Sequence, residues 1–481
     1  MDKKTFSNFF YNTLYQLLII ALPIITTPFL ARVLGVEALG TSSYVLTVGS
    51  FFIVFGMLGI NLYGSKEIAA VRDDKEKLSS VFITIYLIQI VAHIFLLIIY
   101  FNLIEFSVID PEYKNLFMIQ SILIISSAFN LSWFLKGVED FKKLAIRNFI
   151  VKIISVVLIF TFVRKPEDLW IYILINAAST FFGNLVFIKI IFQYIDYKLF
   201  KIEKFKSHFK NVILLFLPVF FHQVYSAGDR ILLESFSSLT ELGYYDQASK
   251  LIRIGLTLVT SLNVVMLPRI ANMYANKNNN KIQNTVHQTM LITLFIGCFV
   301  TFAIAGTASA LVPWFFGTEF ISIVPLIMLT SLIIIFNSIG SVLTLQLGLA
   351  SNNMKQYILP YIFGAFISVV LNIILIPKLG ALGAVIALLC TEFIVMLIRI
   401  FYSSKKVSLI VVFGGCYKYL MSGISVFILI IIISEVLIGI NNLIVNILQV
   451  LIGGGFYLLI LILLKDKVTL NMIEKLKSSI K

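Results

Sequence analysis

The chain has 481 residues, of which 59% are hydrophobic and only 13% charged. That balance excludes a water-soluble globule, a disordered chain and a collagen. The formal charge of +14 lies in short stretches between apolar runs, so it reads as membrane topology and contact with anionic lipid, not as a nucleic-acid surface.

The apolar runs reach the ~20 residues that a membrane-crossing helix needs. They do not alternate in short strands as an outer-membrane barrel would. The first run spans about 9–31 behind Met1-Asp2-Lys3-Lys4. It carries Pro23 and Pro28, leads to no small-x-small cleavage site, and is too long for a signal peptide. Further spans are predicted at about 41–63, 79–104, 115–135, 148–163 and 169–190. After a basic stretch at about 191–210 come 211–229, 246–268, 286–312, 321–349, 356–377, 380–401, 412–438 and 442–464. The expected fold is therefore an all-α polytopic membrane protein with about fourteen transmembrane helices. Boundaries drawn this way are good to a few residues.

Charge supports the order. Of the 38 Lys and Arg residues, Arg32, Lys114, Arg164, Lys165, Arg230, Lys250, Arg253 and Lys378 fall on one side, and the rest fall on the other. By the positive-inside rule the richer side, which holds both termini, is cytoplasmic. The expected location is the bacterial plasma membrane. Two stretches look interfacial: Ile195, Leu199, Ile202, Phe205 and Phe209 recur at helical spacing, and the tail 465–481 repeats the pattern weakly.

A faint repeat links Leu22-Pro23 with Leu217-Pro218, and Glu37-Ala38-Leu39-Gly40 with Glu241-Leu242-Gly243. It divides the chain into a six-helix lobe with its basic linker (1–205), a second six-helix lobe (206–402), and two added helices with a basic tail (403–481). Two halves around a central cavity is a transporter plan. Pro23, Pro28 and Pro218 are hinge candidates, because proline removes one backbone bond inside a helix.

Several chemistries are absent from the sequence. No Gly-Lys dipeptide exists, so there is no Walker A loop. His93, His208, His222 and His287 form no HExxH pair, and there is no Gly-x-Ser-x-Gly elbow. No loop has room for a soluble catalytic domain. Gly453-Gly454-Gly455 reads as a packing surface. Cys298, Cys390 and Cys416 are scattered and imply neither a disulfide framework nor a zinc site. No cofactor or metal is expected.

Ionisable residues inside the spans cost ~2.5–3.5 kcal/mol each at the bilayer centre and need a reason. Arg32, Lys152, Arg230, Lys250 and Arg253 are candidates for a cationic, substrate-binding cavity suited to phosphate oxygens. For Arg32 and Arg230, snorkelling to the interface explains them equally well. Asp229, Glu392 and His93 are candidates for coupling to H+ or Na+. Glu392 could instead pair with Arg399, and His93 could simply be a packed, hydrogen-bonded residue.

Five motifs carry a resemblance. Pro28-Phe29-Leu30-Ala31-Arg32-Val33-Leu34-Gly35 is the first, and Gly59-Ile60-Asn61-Leu62-Tyr63-Gly64 with Glu67 and Arg72 is the second. Trp133 to Glu139, followed by Arg147 and Lys152, is the third. Asp229-Arg230 with Gly243-Tyr244-Tyr245 and Ala248-Ser249-Lys250 is the fourth, and Ile376 to Ala384 is the fifth. In this order they resemble the Wzx-like polysaccharide repeat-unit flippases of the multidrug/oligosaccharidyl-lipid/polysaccharide (MOP) exporter superfamily. The resemblance implies two six-helix lobes in a V around a cavity, with two helices added here. It implies translocation of undecaprenyl-pyrophosphate-linked oligosaccharide to the external leaflet for capsule, O-antigen or exopolysaccharide assembly. Membrane lipids are expected partners, and a polysaccharide polymerase and a chain-length regulator are candidate ones. The rivals are a MATE-like cation antiporter and a membrane polymerase or glycosyltransferase.

Overall fold

The computed structural model describes residues 3–106, 110–199, 201–202, 204–276, 279–351 and 354–480. Among them every regular element is helical. The chain is an all-α, multi-pass membrane protein. Met1, Asp2 and Lys481, the ends that the charge distribution assigns to the cytoplasm, lie outside the described residues.

The first of two compact units ends at Ile231. It holds α1 (Lys3–Met57), α2 (Ile60–Val71), α3 (Lys75–Glu105), α4 (Lys114–Ala128), α5 (Ser132–Gly137), α6 (Phe141–Phe162), α7 (Leu169–Ile191) and most of α8 (Phe205–Phe236). The second unit, Leu232–Lys481, holds the end of α8 and α9 (Leu239–Ala275), α10 (Asn279–Phe315), α11 (Val324–Ser331) and α12 (Ile333–Val342). A π-helical stretch at Leu343–Leu349 follows, then α13 (Met354–Ser404), α14 (Leu409–Val412), α15 (Tyr417–Val436), α16 (Asn442–Leu463) and α17 (Lys467–Ile480).

Eleven segments among the described residues are long and apolar enough to cross a membrane. Two of them, Ala21–Val71 and Lys355–Ser404, each cover two expected spans. A straight helix as long as α1 would measure about 82 Å, far beyond the ~30 Å hydrocarbon core. The backbone solves this at Gly35 (φ 75°, ψ 179°) and, in α13, at Gly380 (φ 55°, ψ −131°), where it leaves the helical region. Only glycine adopts such angles without strain. The proline hinge candidates Pro23, Pro28 and Pro218 lie inside helices, and the breaks fall at these glycines. The expected span 246–268 falls in α9, which is not among the eleven segments.

Packing is inverted relative to a soluble protein. On α3, Val91, Ile94, Phe95 and Ile98 are exposed apolar residues on one face, while Gln89 and His93 are buried on the other. Burial of apolar surface cannot drive helix association in lipid, so small residues and interior hydrogen bonds must. Gly56 lies against His93, Gly64 against Trp133 and Gly137 against Ile68. The last two contacts join the second and third sequence motifs, and Arg72 closes them with an ion pair to Glu139 at 2.6 Å. In the second unit Gly453 lies against Val426 and Ile430 and serves the α15–α16 packing, while Gly454 faces Phe299 of α10 and a Cβ at Gly455 would meet nothing within 4 Å among the described residues.

One expectation needs correction. The stretch around 195–209 is not one amphipathic helix: the described part before α8 contains only a single 3-10 turn, Tyr197–Leu199, and Phe205 and Phe209 belong to the start of α8. The first turns of α3 hold it instead: Ser79 Oγ accepts from Asp196 N, Ser80 Oγ donates to Lys201 O, and Lys201 pairs with Glu76 at 2.8 Å. The tail does form a helix, α17, begun by Asp466, which accepts from Thr469 N and from Tyr419.

Candidate functional site

In the first unit the candidates occupy four places. Arg32 is exposed and sits one turn before the break at Gly35, between buried Ala31 and Leu34. Phe29 packs on Phe160 of α6 at 4.4 Å. Lys152 is exposed and lies on α6 about 12 Å from that contact level. Asp229 and Arg230 are both buried near the end of α8. Arg230 Nη1 donates to Asp229 Oδ1 at 3.3 Å and to Ser226 O at 3.0 Å. Its charge is therefore matched by its neighbour, and the pair acts as a compact dipole.

His93 belongs to a buried polar network. Its Nδ1 is 2.7 Å from Gln89 O, a group that only accepts, so Nδ1 carries a proton. Its Nε2 is 2.7 Å from Ser127 Oγ, which is itself 2.6 Å from Ile124 O. A serine has one hydroxyl proton. With the ring neutral, that proton points to Nε2; with the ring charged, Nε2 donates and the hydroxyl turns to Ile124 O. One hydroxyl rotation thus satisfies the hydrogen bonds of either protonation state. The Gln89 side chain is held by Trp133 Nε1 (2.9 Å) and by donation to Ser127 O and Ala128 O.

Arg147 received no functional assignment from the residue types alone, yet it is held at several points. It donates to Gly183 O (2.8 Å), Thr180 O (3.2 Å) and Asn184 Oδ1 (2.6 Å), and its guanidinium stacks on Phe187 at 4.6 Å. Just outside the membrane segment, Asp140 accepts from Tyr194 Oη and Lys143 N and pairs with the Lys143 ammonium at 3.3 Å. Burial pushes the Asp140 carboxyl up, but those hydrogen bonds and the ammonium together outweigh it, leaving the group below the ordinary carboxylate range.

In the second unit the structure brings Lys250 and Arg253 together and adds a residue that sequence reasoning missed. Asp246 is buried and lies 3.2 Å from Lys250 Nζ and 3.3 Å from Arg253 Nη2. The spacing i, i+4, i+7 places all three on one face of α9, and that periodicity was the available signal. The carboxylate is enclosed, whereas the lysine and arginine side chains keep 32% and 48% exposure. The result is a fixed pair of cations with one net positive charge. Such an arrangement suits a phosphate oxygen, which a preoriented guanidinium meets at little entropic cost.

Glu392 and Arg399 are both buried on α13. Arg399 stacks over Tyr361 at 5.4 Å and abuts Gly340. Gln346, inside the π-helical stretch, is fully buried with neither amide atom hydrogen-bonded among the described residues. Short π segments are frequent where a helix is adapted for function.

Comparison with known proteins bears on both units. A protein of Escherichia coli (strain K12) named "Putative O-antigen transporter" is 24% identical over 379 residues, covering 78% of this chain and 90% of that one. A Shigella dysenteriae protein of the same name is 21% identical over 384 residues. Among solved structures, the inward closed conformation of the lipid II flippase MurJ superposes with a TM-score of 0.73 at 17% identity, covering 95% of this chain and 99% of that one. An inward-facing multidrug resistance MATE family transporter of the MOP superfamily gives 0.63 at 14% identity, covering 82% and 97%. These likenesses establish a shared fold. A family model described as polysaccharide biosynthesis protein matches residues 6–274.

Proposed function

The chain belongs to the polysaccharide biosynthesis protein family, and on that premise we propose that it is a transporter, not an enzyme. It carries undecaprenyl-pyrophosphate-linked oligosaccharide repeat units from the cytoplasmic to the external leaflet of the bacterial plasma membrane. Its product feeds assembly of an O-antigen, capsule or exopolysaccharide. The observation that carries this reading is the match along 90% of a relative whose name assigns it O-antigen transport.

The physical case runs parallel. A pyrophosphate-sugar head group cannot enter hydrocarbon unaided, because desolvating its charge costs many kcal/mol. Lys250 and Arg253, held by Asp246, are the residues best prepared to replace lost hydration. In this reading Arg32, Lys152 and Arg230 are further candidate contacts for the anionic head group. Both termini face the cytoplasm, following the distribution of Lys and Arg. Energy enters through H+ or Na+ at His93, Asp229 or Glu392. The His93–Ser127 pair supports a proton, since it can accept one without moving a heavy atom.

One specific observation favours a second reading, a cation antiporter: the fold is shared with a multidrug transporter. The exposed cations of Lys250 and Arg253 argue against it, because they repel cationic substrates.

Deletion of the gene, with lipid-linked oligosaccharide scored on each leaflet, tests the proposal. Accumulation on the cytoplasmic leaflet with loss of surface polymer is expected. An unchanged leaflet distribution, with no second flippase in the strain, refutes it. Within the same assay, Arg253→Ala and Arg32→Ala lose surface polymer at unchanged protein level.

A further inference from the structure

Helices α6 and α7 present two facing stripes. On α6 the lining positions recur every three or four residues from Lys143 to Phe162, and on α7 they do the same from Ile171 to Ile190. Between them lie an apolar cavity of about 560 Å³ and an adjoining one of about 360 Å³ that share part of their walls. The hollow exists because small residues on α7, Ala178, Ser179 and Gly183, face Ile154 and Leu158 on α6. At Gly183 the floor is closest: a Cβ there would sit 2.5 Å from Val151 and 2.6 Å from Arg147.

The two ends differ. At one end stand Lys143 and Arg147. Arg147 is fixed by Gly183, Thr180 and Asn184, and Lys143 by Gln193 at 2.9 Å and by Tyr194. Asp140 offsets Lys143, so the three groups together carry one net positive charge. The other end closes on Phe162 and Ile171 with no charged side chain in its lining. The track is about 28 Å long, nineteen helical rises. That nearly equals the ~30 Å hydrocarbon core, whereas the chains of a bilayer phospholipid anchored at one surface reach only about half of it.

We propose that the α6–α7 groove seats the polyprenyl chain of an anionic lipid carrier, with its phosphate against Lys143 and Arg147. The apolar lining accounts for the chain, the single charged end for the phosphate, and the full bilayer length for a chain longer than a fatty acyl group. The choice of a carrier lipid rests on the transport reading above. The groove would hold the tail beside the unit while the head group crosses.

The test uses the full chain in nanodiscs of zwitterionic lipid. Two photoreactive probes are compared: a long polyprenyl phosphate and geranyl phosphate, which has two isoprene units. Ala178→Phe, which fills the hollow, is expected to cut long-chain labelling about tenfold and to leave geranyl phosphate labelling within about twofold. Ser179→Phe repeats the measurement if the first variant does not accumulate. Lys143→Gln is expected to weaken both probes. Equal long-chain labelling of wild type and both filled variants overturns the proposal. So does displacement of the long-chain probe by phosphatidylglycerol at equal concentration, which makes the groove a slot for bilayer lipid. Labelling is read without transport. A failed groove therefore leaves the transport reading intact, and a strain that flips oligosaccharide normally without this chain leaves the groove intact.

Discussion

Replacing Asp246 by Asn removes one charge and almost no volume, and the structure sets the direction of every consequence. The carboxylate is buried between Lys250 at 3.2 Å and Arg253 at 3.3 Å. A full charge pair at that separation is worth about 5 kcal/mol at an effective dielectric of 20. Both cations are substantially exposed, so each pairing contributes closer to ~1 kcal/mol. The variant should lose about 1–2 kcal/mol of stability, read as a fall of a few degrees in thermal denaturation in detergent. Anion binding moves the other way. The site goes from one net positive charge to two. An extra charge about 5 Å from a phosphate is worth ~1 kcal/mol in a wet cavity, roughly fivefold in affinity. Asp246→Asn should therefore bind a polyprenyl pyrophosphate more tightly and, by slowing release, transport it more slowly. Isothermal titration at low and high salt checks this, since the gain should shrink as ionic strength rises. Weaker binding, or a gain insensitive to salt, refutes the assignment of Lys250 and Arg253 as anion ligands.

Gly56→Ala puts a methyl 2.6 Å from His93 Nε2, and Gly64→Ala puts one 2.5 Å from Trp133; each should cost about 1–3 kcal/mol by thermal denaturation, as overpacking does. The folded-state pKa of Asp140 lies below its unfolded value, so its stabilisation is complete above about pH 4 and is lost as pH falls through the folded pKa. Asp140→Asn should lower stability at neutral pH and flatten the acid limb of a melting-temperature profile. Single cysteines in a chain freed of Cys298, Cys390 and Cys416 test topology: a membrane-impermeant thiol reagent added to intact cells should label position 167 and not position 142, and the reverse pattern inverts the orientation.

What was legible in the sequence was whatever follows from composition and period. Long apolar runs disclose helices, and loop charges order them, because both are averages over many residues. The glycine breaks were visible only as members of motifs: Gly35 closes the first motif and Gly380 lies within the fifth, but nothing local distinguishes them from Gly228 inside α8. Asp246 was missed although it shares a face with Lys250 and Arg253. Asp246 opens the expected span 246–268, where an acidic residue at a helix start has an ordinary local explanation and does not by itself signal a partner for cations further along. Arg147 was quoted only as part of a motif; its ties to Gly183 and Asn184 join α6 to α7 across more than thirty residues of sequence, a distance no periodicity spans. The α6–α7 hollow is harder still, since a groove is the absence of side-chain volume where two helices meet.

The faint repeat between Glu37 and Glu241 gains a physical meaning in the second unit alone. Glu241, in the first turn of α9, accepts a hydrogen bond from Ala381 N at 2.7 Å. Ala381 begins the second half of α13 after the break at Gly380, so the carboxylate caps a helix N-terminus, where an anion is favoured. Gly380→Ala should then fail for two separable reasons. The φ of 55° with ψ of −131° suits glycine only, at a cost of about 1–3 kcal/mol for any other residue. A Cβ at that position would also stand 2.7 Å from Glu241 Oε2. A double-mutant cycle parts the two costs. In a Glu241→Ala background the contact is gone and the backbone strain remains, so Gly380→Ala should cost less there than in the wild type, by roughly 0.5–3 kcal/mol. Thermal denaturation of the four proteins measures it. Strict additivity would mean that the carboxylate neither crowds Gly380 nor holds the break, and α13 would then owe its two halves to the glycine alone.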